Sequence, residues 1–289
     1  MSRILIGTCS WSQHAPFYPA ELPKIQQISF YAQHFPLVEI DSTFYALVSE
    51  RNFAAWADRT PSDFVFDVKP YRQLTQHDRE TAPDPVTFAR FRQSLQPLRD
   101  TGKLGVITFQ FPPWFKLSPE NLDYIGYCRD QFASDRLSIE FRHGSWLAPD
   151  TLPDILEFLR ARKLSLTVVD EPQIGNASVP TVLAVTNPDL SVVRFHGRNT
   201  KTWYKKVENT GERFDYLYSD PELEQWTPNV GELARDAGEI HLLFNNNRAN
   251  YAIRNAHRLT GILQDSLPDV EVIAPAPTPA NDSTQMPLF

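Results

Sequence analysis

Leu137-Ser138-Ile139-Glu140-Phe141-Arg142-His143-Gly144-Ser145-Trp146 begins as a short apolar strand and ends in a burst of ionisable side chains. Short apolar runs with alternating polar residues read as strands. A segment that only had to form a strand has no use for a carboxylate, a guanidinium and an imidazole at its C-terminal end. The same design recurs in Val38-Glu39-Ile40-Asp41-Ser42, Phe66-Asp67-Val68-Lys69, Val168-Val169-Asp170, Arg194-Phe195-His196-Gly197-Arg198 and Leu243-Phe244-Asn245-Asn246. The chain is organised around one ring of polar strand ends.

Working outward, strand starts fall near residues 4, 37, 64, 104, 137, 165, 192 and 240. The separations are too long for hairpins and suit strand–helix units. Between them, Ile25, Ile28, Ala32 and Phe35 recur at helical spacing, Ser49 precedes a face of Phe53, Trp56 and Ala57, and Ser118-Pro119 is a helix start signal. Ala252, Ala256, Leu259 and Leu263 give a last helix, while residues 171–191 show none. Eight units predict a single-domain parallel (β/α)8 barrel over residues 1–267, with an open doubly wound sheet as the alternative. In both folds ligands sit at the carboxyl ends of the strands. Residues 199–220, rich in aromatics and lysines (Lys201, Trp203, Tyr204, Lys205, Lys206), are expected to cover the mouth as a lid. Residues 268–289 have the Pro-rich composition of a disordered tail.

The chain has 28 Lys plus Arg against 35 Asp plus Glu, a formal net charge of −7, which argues against broad binding to nucleic acid or anionic membrane. It does not exclude a local basic site. Two distant cysteines, Cys9 and Cys128, read as reduced thiols. With no signal pattern and no apolar run near 18 residues in the sequence, a cytoplasmic protein is expected.

Gly7-Thr8-Cys9-Ser10-Trp11, Phe17-Tyr18-Pro19, Val38 through Tyr45, Phe64 through Lys69, Lys103-Leu104-Gly105, Gln110-Phe111-Pro112-Pro113, Glu140 through His143 with Ser145-Trp146, Arg194 through Arg198 and Phe244-Asn245-Asn246 together resemble the family called domain of unknown function 72, also termed YecE-like. The resemblance implies a TIM-type barrel and brings no assigned reaction. Asp41 stands where many relatives are expected to carry Asn.

The strand ends suggest an enzyme acting by acid–base chemistry on a phosphorylated or otherwise anionic substrate. Glu140 and His196 are the expected proton carriers, with Asp170 and His143 as further catalytic candidates. Arg142, Arg198 and Lys69 would bind the anion, Trp11 and Tyr45 would stack, and Glu39, Asp41, Gln110 and Asn245 would complete the substrate contacts. Backbone amides at Gly144 and Gly197 are candidates for approaching a phosphate. The duller reading makes Glu140 and Arg142 a structural ion pair and His143 a hydrogen-bonded structural histidine. A divalent metal on Glu140, Asp170 and His196 is not favoured, because the two arginines beside them repel a cation. The alternatives are a non-catalytic nucleic-acid or nucleotide binding module that stacks bases on Trp203 and Tyr204, and a metal-dependent sugar isomerase-like enzyme.

The final residues, Gln285-Met286-Pro287-Leu288-Phe289, resemble the peptide by which bacterial polymerases and repair proteins dock on the DNA sliding clamp. Leu288 and Phe289 would fill an apolar pocket and Gln285 would contact its rim. Such docking would tilt the expected chemistry towards a nucleic-acid phosphodiesterase.

Overall fold

The eight parallel strands are β1 (Arg3–Cys9), β2 (Leu37–Ile40), β3 (Val65–Val68), β4 (Leu104–Gln110), β5 (Leu137–Glu140), β6 (Leu164–Asp170), β7 (Ser191–Phe195) and β8 (Glu239–Phe244). Each starts within one residue of its expected position. The order β2-β3-β4-β5-β6-β7-β8-β1 closes on itself through β1–β2 pairing, which makes a barrel and excludes the open sheet. The computed structural model describes residues 1–174, 178–203 and 212–274.

Period-two alternation separates the two faces of every strand. Val38, Ile40, Phe66, Val68, Phe109, Ile139, Phe195 and Phe244 point outward into the large core shared with the helices. Leu5, Leu37, Val106, Val192 and Leu243 face inward and form a small apolar plug. Above and below that plug the lumen is polar.

Local signals set the helix ends. Ser118 accepts a hydrogen bond from the Asn121 amide at the start of Pro119–Gln131, and Asp84 does the same from Thr87 ahead of Pro85–Ser94. Ser49 precedes Glu50–Ala57 but makes no side-chain cap bond. Ile25 is 61% exposed, so the apolar face of the first helical segment begins at Ile28. No helix follows β6 among the described residues. There, Thr181 donates to the Val169 carbonyl, and the Thr186 hydroxyl both donates to the Leu164 carbonyl and accepts from the Leu166 amide. An extended segment therefore covers the outside of β6.

The expected tail boundary at 268 needs correction. Glu271–Val272 form a ninth strand, β9, parallel to the start of β1. β1 meets β2 only at Gly7–Cys9, so the stagger leaves its first residues without a partner on that side, and β9 takes the place.

Below the plug lies a charged floor. Asp67 accepts from the Val106 amide at 2.9 Å and lies 2.8 Å from His241 Nδ1. His241 Nε2 lies 3.0 Å from Glu239, which also meets Arg136 at 2.7 Å. A Cβ on Gly105 would fall 2.2 Å from Asp67 Oδ1, so only glycine leaves room for this carboxylate. Burial disfavours the His241 imidazolium, but Asp67 and Glu239 outweigh it and raise its pKa from 6.5 to about 9. A raised basic pKa stabilises the fold fully below pH 6.5, and that contribution is lost as pH climbs through 9. His241→Gln should therefore cost on the order of 3 kcal/mol at pH 6 in urea unfolding, with the deficit shrinking above pH 9. A deficit independent of pH would refute a charged His241.

Candidate carboxylate and arginine site at the barrel mouth

Arg194, on the inward face of β7, is 1% exposed and crosses the lumen. Its Nη1 lies 2.5 Å from Glu140 on β5 and its Nη2 2.5 Å from Glu39 on β2. Nη2 also lies 3.4 Å from the Cys9 thiol on β1. A desolvated guanidinium survives only when it is paired and hydrogen-bonded. Burial alone would lower the Arg194 pKa, and Glu140 and Glu39 reverse this, holding it well above its ordinary value. One side chain thus ties four strands.

Arg142 forms the next layer. Its Nε lies 2.6 Å from Glu140 Oε1, its Nη1 donates to Glu171 at 2.7 Å, and its Nη2 lies 3.0 Å from His196 Nε2. Glu140 is fully buried, yet Arg142 and Arg194 overcome its desolvation and hold its pKa well below the carboxylate range. His196 is driven the other way, to about 3, by burial and then by Arg142, so its imidazole is neutral. Its Nδ1 lies 3.1 Å from the Asn245 amide nitrogen. The expected proton carriers Glu140 and His196 do meet, 3.1 Å apart, but both are 0% exposed beneath Arg142.

On the opposite wall, Asp41 and Lys69 continue β2 and β3 side by side, one residue beyond the Ile40–Val68 pair. Burial and then Glu39 raise the Asp41 pKa to about 7, and a hydrogen bond to Glu39 adds to the shift. Asp41 Oδ1 and Glu39 Oε2 are both buried without a hydrogen-bond partner among the described residues, and the two side chains place carboxylate oxygens within 4.8 Å of each other. Burial lowers the Lys69 pKa. Its ammonium donates to Gln110 at 2.9 Å and stands 4.5 Å from the Phe44 ring centroid. Gln110 in turn lies 3.3 Å from His77, whose pKa burial lowers to about 3. His77 opens onto a rim cleft of about 450 Å³ lined also by Tyr45, Tyr71, Arg72, Arg79 and the carboxylates of Asp78 and Glu80.

Several expected residues stand elsewhere. Asp170 shares the outward face of β6 with Leu166 and Val168, where it accepts from Trp226 at 2.8 Å, Tyr218 at 3.0 Å and Arg198 at 2.7 Å. It is away from the mouth, and it occupies the Arg198 guanidinium assigned above to an anion. The inward carboxylate is its neighbour Glu171. His143 caps the turn at Gly144–Trp146 by accepting from the Ser145 amide, a structural role. The Gly197 amide donates to Tyr218, so it is not available to a phosphate. Trp11 packs edge-on against Trp56 at 5.1 Å, while Tyr45 is 66% exposed. Both described arms of the long loop reach the mouth: Trp203 lies 5.6 Å from the Arg142 guanidinium, and Phe214 lies 5.9 Å from both Trp203 and His196. Tyr204, Lys205 and Lys206, like Gln285, Leu288 and Phe289, lie outside the described residues.

The three ligands considered for a metal are not assembled, because Asp170 faces away from Glu140 and His196. Among the described residues, Cys9, Glu39 and Asp41 do place donor atoms within 4.8 Å of one another. The Arg194 guanidinium lies against two of these three, which meets the charge a cation would otherwise meet. No helix of the described residues is long and apolar enough to cross a membrane.

Fold and site together define a parallel (β/α)8 barrel whose mouth is built from interlocked carboxylates and arginines. Residues 5–281 match the family described as protein of unknown function DUF72, and the chain belongs to it. It is similar to the UPF0759 protein YunF of Bacillus subtilis (strain 168), at 38% identity over 95% of this chain and 98% of the relative. Crystal structures of DUF72 family proteins from Enterococcus faecalis V583 and Thermotoga maritima MSB8 superpose with TM-scores of 0.83 and 0.78, at 30% and 32% identity. They cover 90% and 91% of this chain and 95% and 99% of theirs.

Removing Arg194 would leave Glu39 without a counter-charge in a dry lumen. Arg194→Met should cost about 3–5 kcal/mol in chemical unfolding. A loss below about 1 kcal/mol, the size of a surface pair, would show that the guanidinium does not hold the barrel.

Proposed function

We propose that the protein is an enzyme that moves a proton with Asp41, beside Glu39, on a small substrate entering the barrel mouth. The supporting observation is the position of the Asp41 carboxyl: it stands at the end of a barrel strand within 4.8 Å of the buried Glu39 carboxylate, and burial and then Glu39 push its pKa up to about 7. A group with a pKa near the working pH is suited to both taking and giving a proton. Glu140 and His196 then act from below, holding Arg142 and the strand ends in place. The anionic part of the substrate is assigned to the rim. Arg142, Arg194 and Arg198 are already paired with carboxylates, whereas Arg72 and Arg79 border the cleft beside Tyr45, sharing its lining with Asp78 and Glu80.

Asp41 also offers a test that needs no substrate. Its native pKa is raised, so the folded state holds a proton that the unfolded chain gives up above about 4. Stability therefore falls as pH rises from 4 towards 7. Asp41→Asn should raise Tm by a few degrees at pH 8 and leave it nearly unchanged at pH 4, while lowering turnover of any phosphate ester or oligonucleotide substrate by about 10²–10⁴-fold. A Tm difference that does not change with pH would overturn the assignment. Binding without turnover across such substrates would favour the non-catalytic module.

A second reading concerns recruitment and rests on Gln285-Met286-Pro287-Leu288-Phe289. We infer that this peptide docks on the DNA sliding clamp, supplying a nucleic-acid phosphodiesterase with local concentration in place of a basic surface. The peptide lies beyond the stretch matched to the family, as an appended tether would. Purified clamp should bind the full chain and release the chain truncated at residue 284. Equal affinities would return the substrate to small metabolites.

A further inference from the structure

Lys69 is not used by the proton-transfer reading, and its surroundings are unusual for a lysine. Two other cationic side chains in the lumen, Arg142 and Arg194, are ion-paired with carboxylates. Lys69 has no such pair among the described residues, and its ammonium nitrogen hydrogen-bonds instead to the neutral Gln110 amide. The Phe44 ring stands over the amine, and Thr43 fastens the Lys69 carbonyl from below at 2.5 Å. The proton-carrying carboxyl of Asp41 is its lateral neighbour across the β2–β3 pair.

We propose that Lys69 is a nucleophile that forms an imine with the carbonyl carbon of a small aldehyde or ketone held at the mouth. The proposal rests on Asp41 as the proton carrier and names the substrate class of that same site. The neutral amine donates its lone pair to the carbonyl carbon, forming a C–N bond, while the oxygen takes up a proton and the nitrogen releases one. The Asp41 carboxyl then protonates the resulting hydroxyl, the C–O bond breaks, and water leaves. Amine plus carbonyl becomes imine plus water, with no oxidant or reductant consumed. Desolvation favours the neutral amine that this step requires, as in other lysines buried for Schiff-base chemistry. The rim cleft reached through Gln110 and His77 gives such a substrate room for an anionic tail beside Arg72 and Arg79.

The test is reductive trapping on the full chain. Pyruvate, glyceraldehyde 3-phosphate and dihydroxyacetone phosphate are each incubated with the protein and sodium cyanoborohydride at pH 7, and the product is mapped by peptide mass spectrometry. At least one should label Lys69 about tenfold faster than the exposed Lys24, Lys116 and Lys163. Lys69→Arg, which keeps the charge, should lose that label while the exposed lysines keep theirs. Asp41→Asn should slow the labelling without abolishing it. Labelling of Lys69 no faster than the exposed lysines with all three probes overturns the proposal. If the Asp41 dependence of Tm on pH persists in that case, the proton-transfer reading stands and only the imine falls. If Lys69 is labelled but the Asp41 variant labels at the wild-type rate, the amine is reactive and Asp41 is not its acid.

Discussion

The barrel turns on a single buried guanidinium. Arg194 binds Glu140, Glu39 and the Cys9 thiol from the inward face of β7, so β1, β2, β5 and β7 share one fully buried charge. Apolar side chains could fill such a lumen at no electrostatic cost, and a buried ion cluster is weak evidence for stability in itself. What it does supply is geometry. The one carboxylate oxygen that Arg194 leaves unsatisfied, Glu39 Oε2, is thereby fixed in position on β2, the strand that leads into Asp41.

That constraint explains why three neighbouring carboxyl groups behave differently. Glu140, between two arginines, stays ionised; Glu171, buried with one, has its pKa raised; Asp41, beside a carboxylate, is raised to about 7. Environment rather than residue type sorts them, which is how one barrel end can hold both structural and titrating acids.

The fold was readable because β-strand alternation and strand spacing are local properties, and every strand start lay within one residue of its expected place. Much of the site was readable for the same reason, as Glu39, Glu140, Arg142, His196, Lys69 and Gln110 all face the lumen. Alternation also carried a signal that went unused: Asp170 has the parity of Leu166 and Val168, which directs it outward and leaves Glu171 as the lumen residue. Arg194 was harder to find. Arginine is almost never fully buried unless paired, and its partners lie on strands 54 and 155 residues away in sequence. The floor trio of Asp67, His241 and Glu239 was missed because its pairing spans 174 residues and its carboxylate fits only beside Gly105.

β9 gives the barrel a polarity beyond that of its strands. The Glu271 amide donates to the Ser2 carbonyl at 3.0 Å and the Ile273 amide to the Ile4 carbonyl at 2.8 Å, so both ends of the described chain are stitched together on the floor. Ala274, the last described residue, therefore lies by the face opposite the mouth. The β9 stitch and the Arg194 cluster thus sit at opposite ends of the strands, so a substitution in one leaves the other's hydrogen bonds in place.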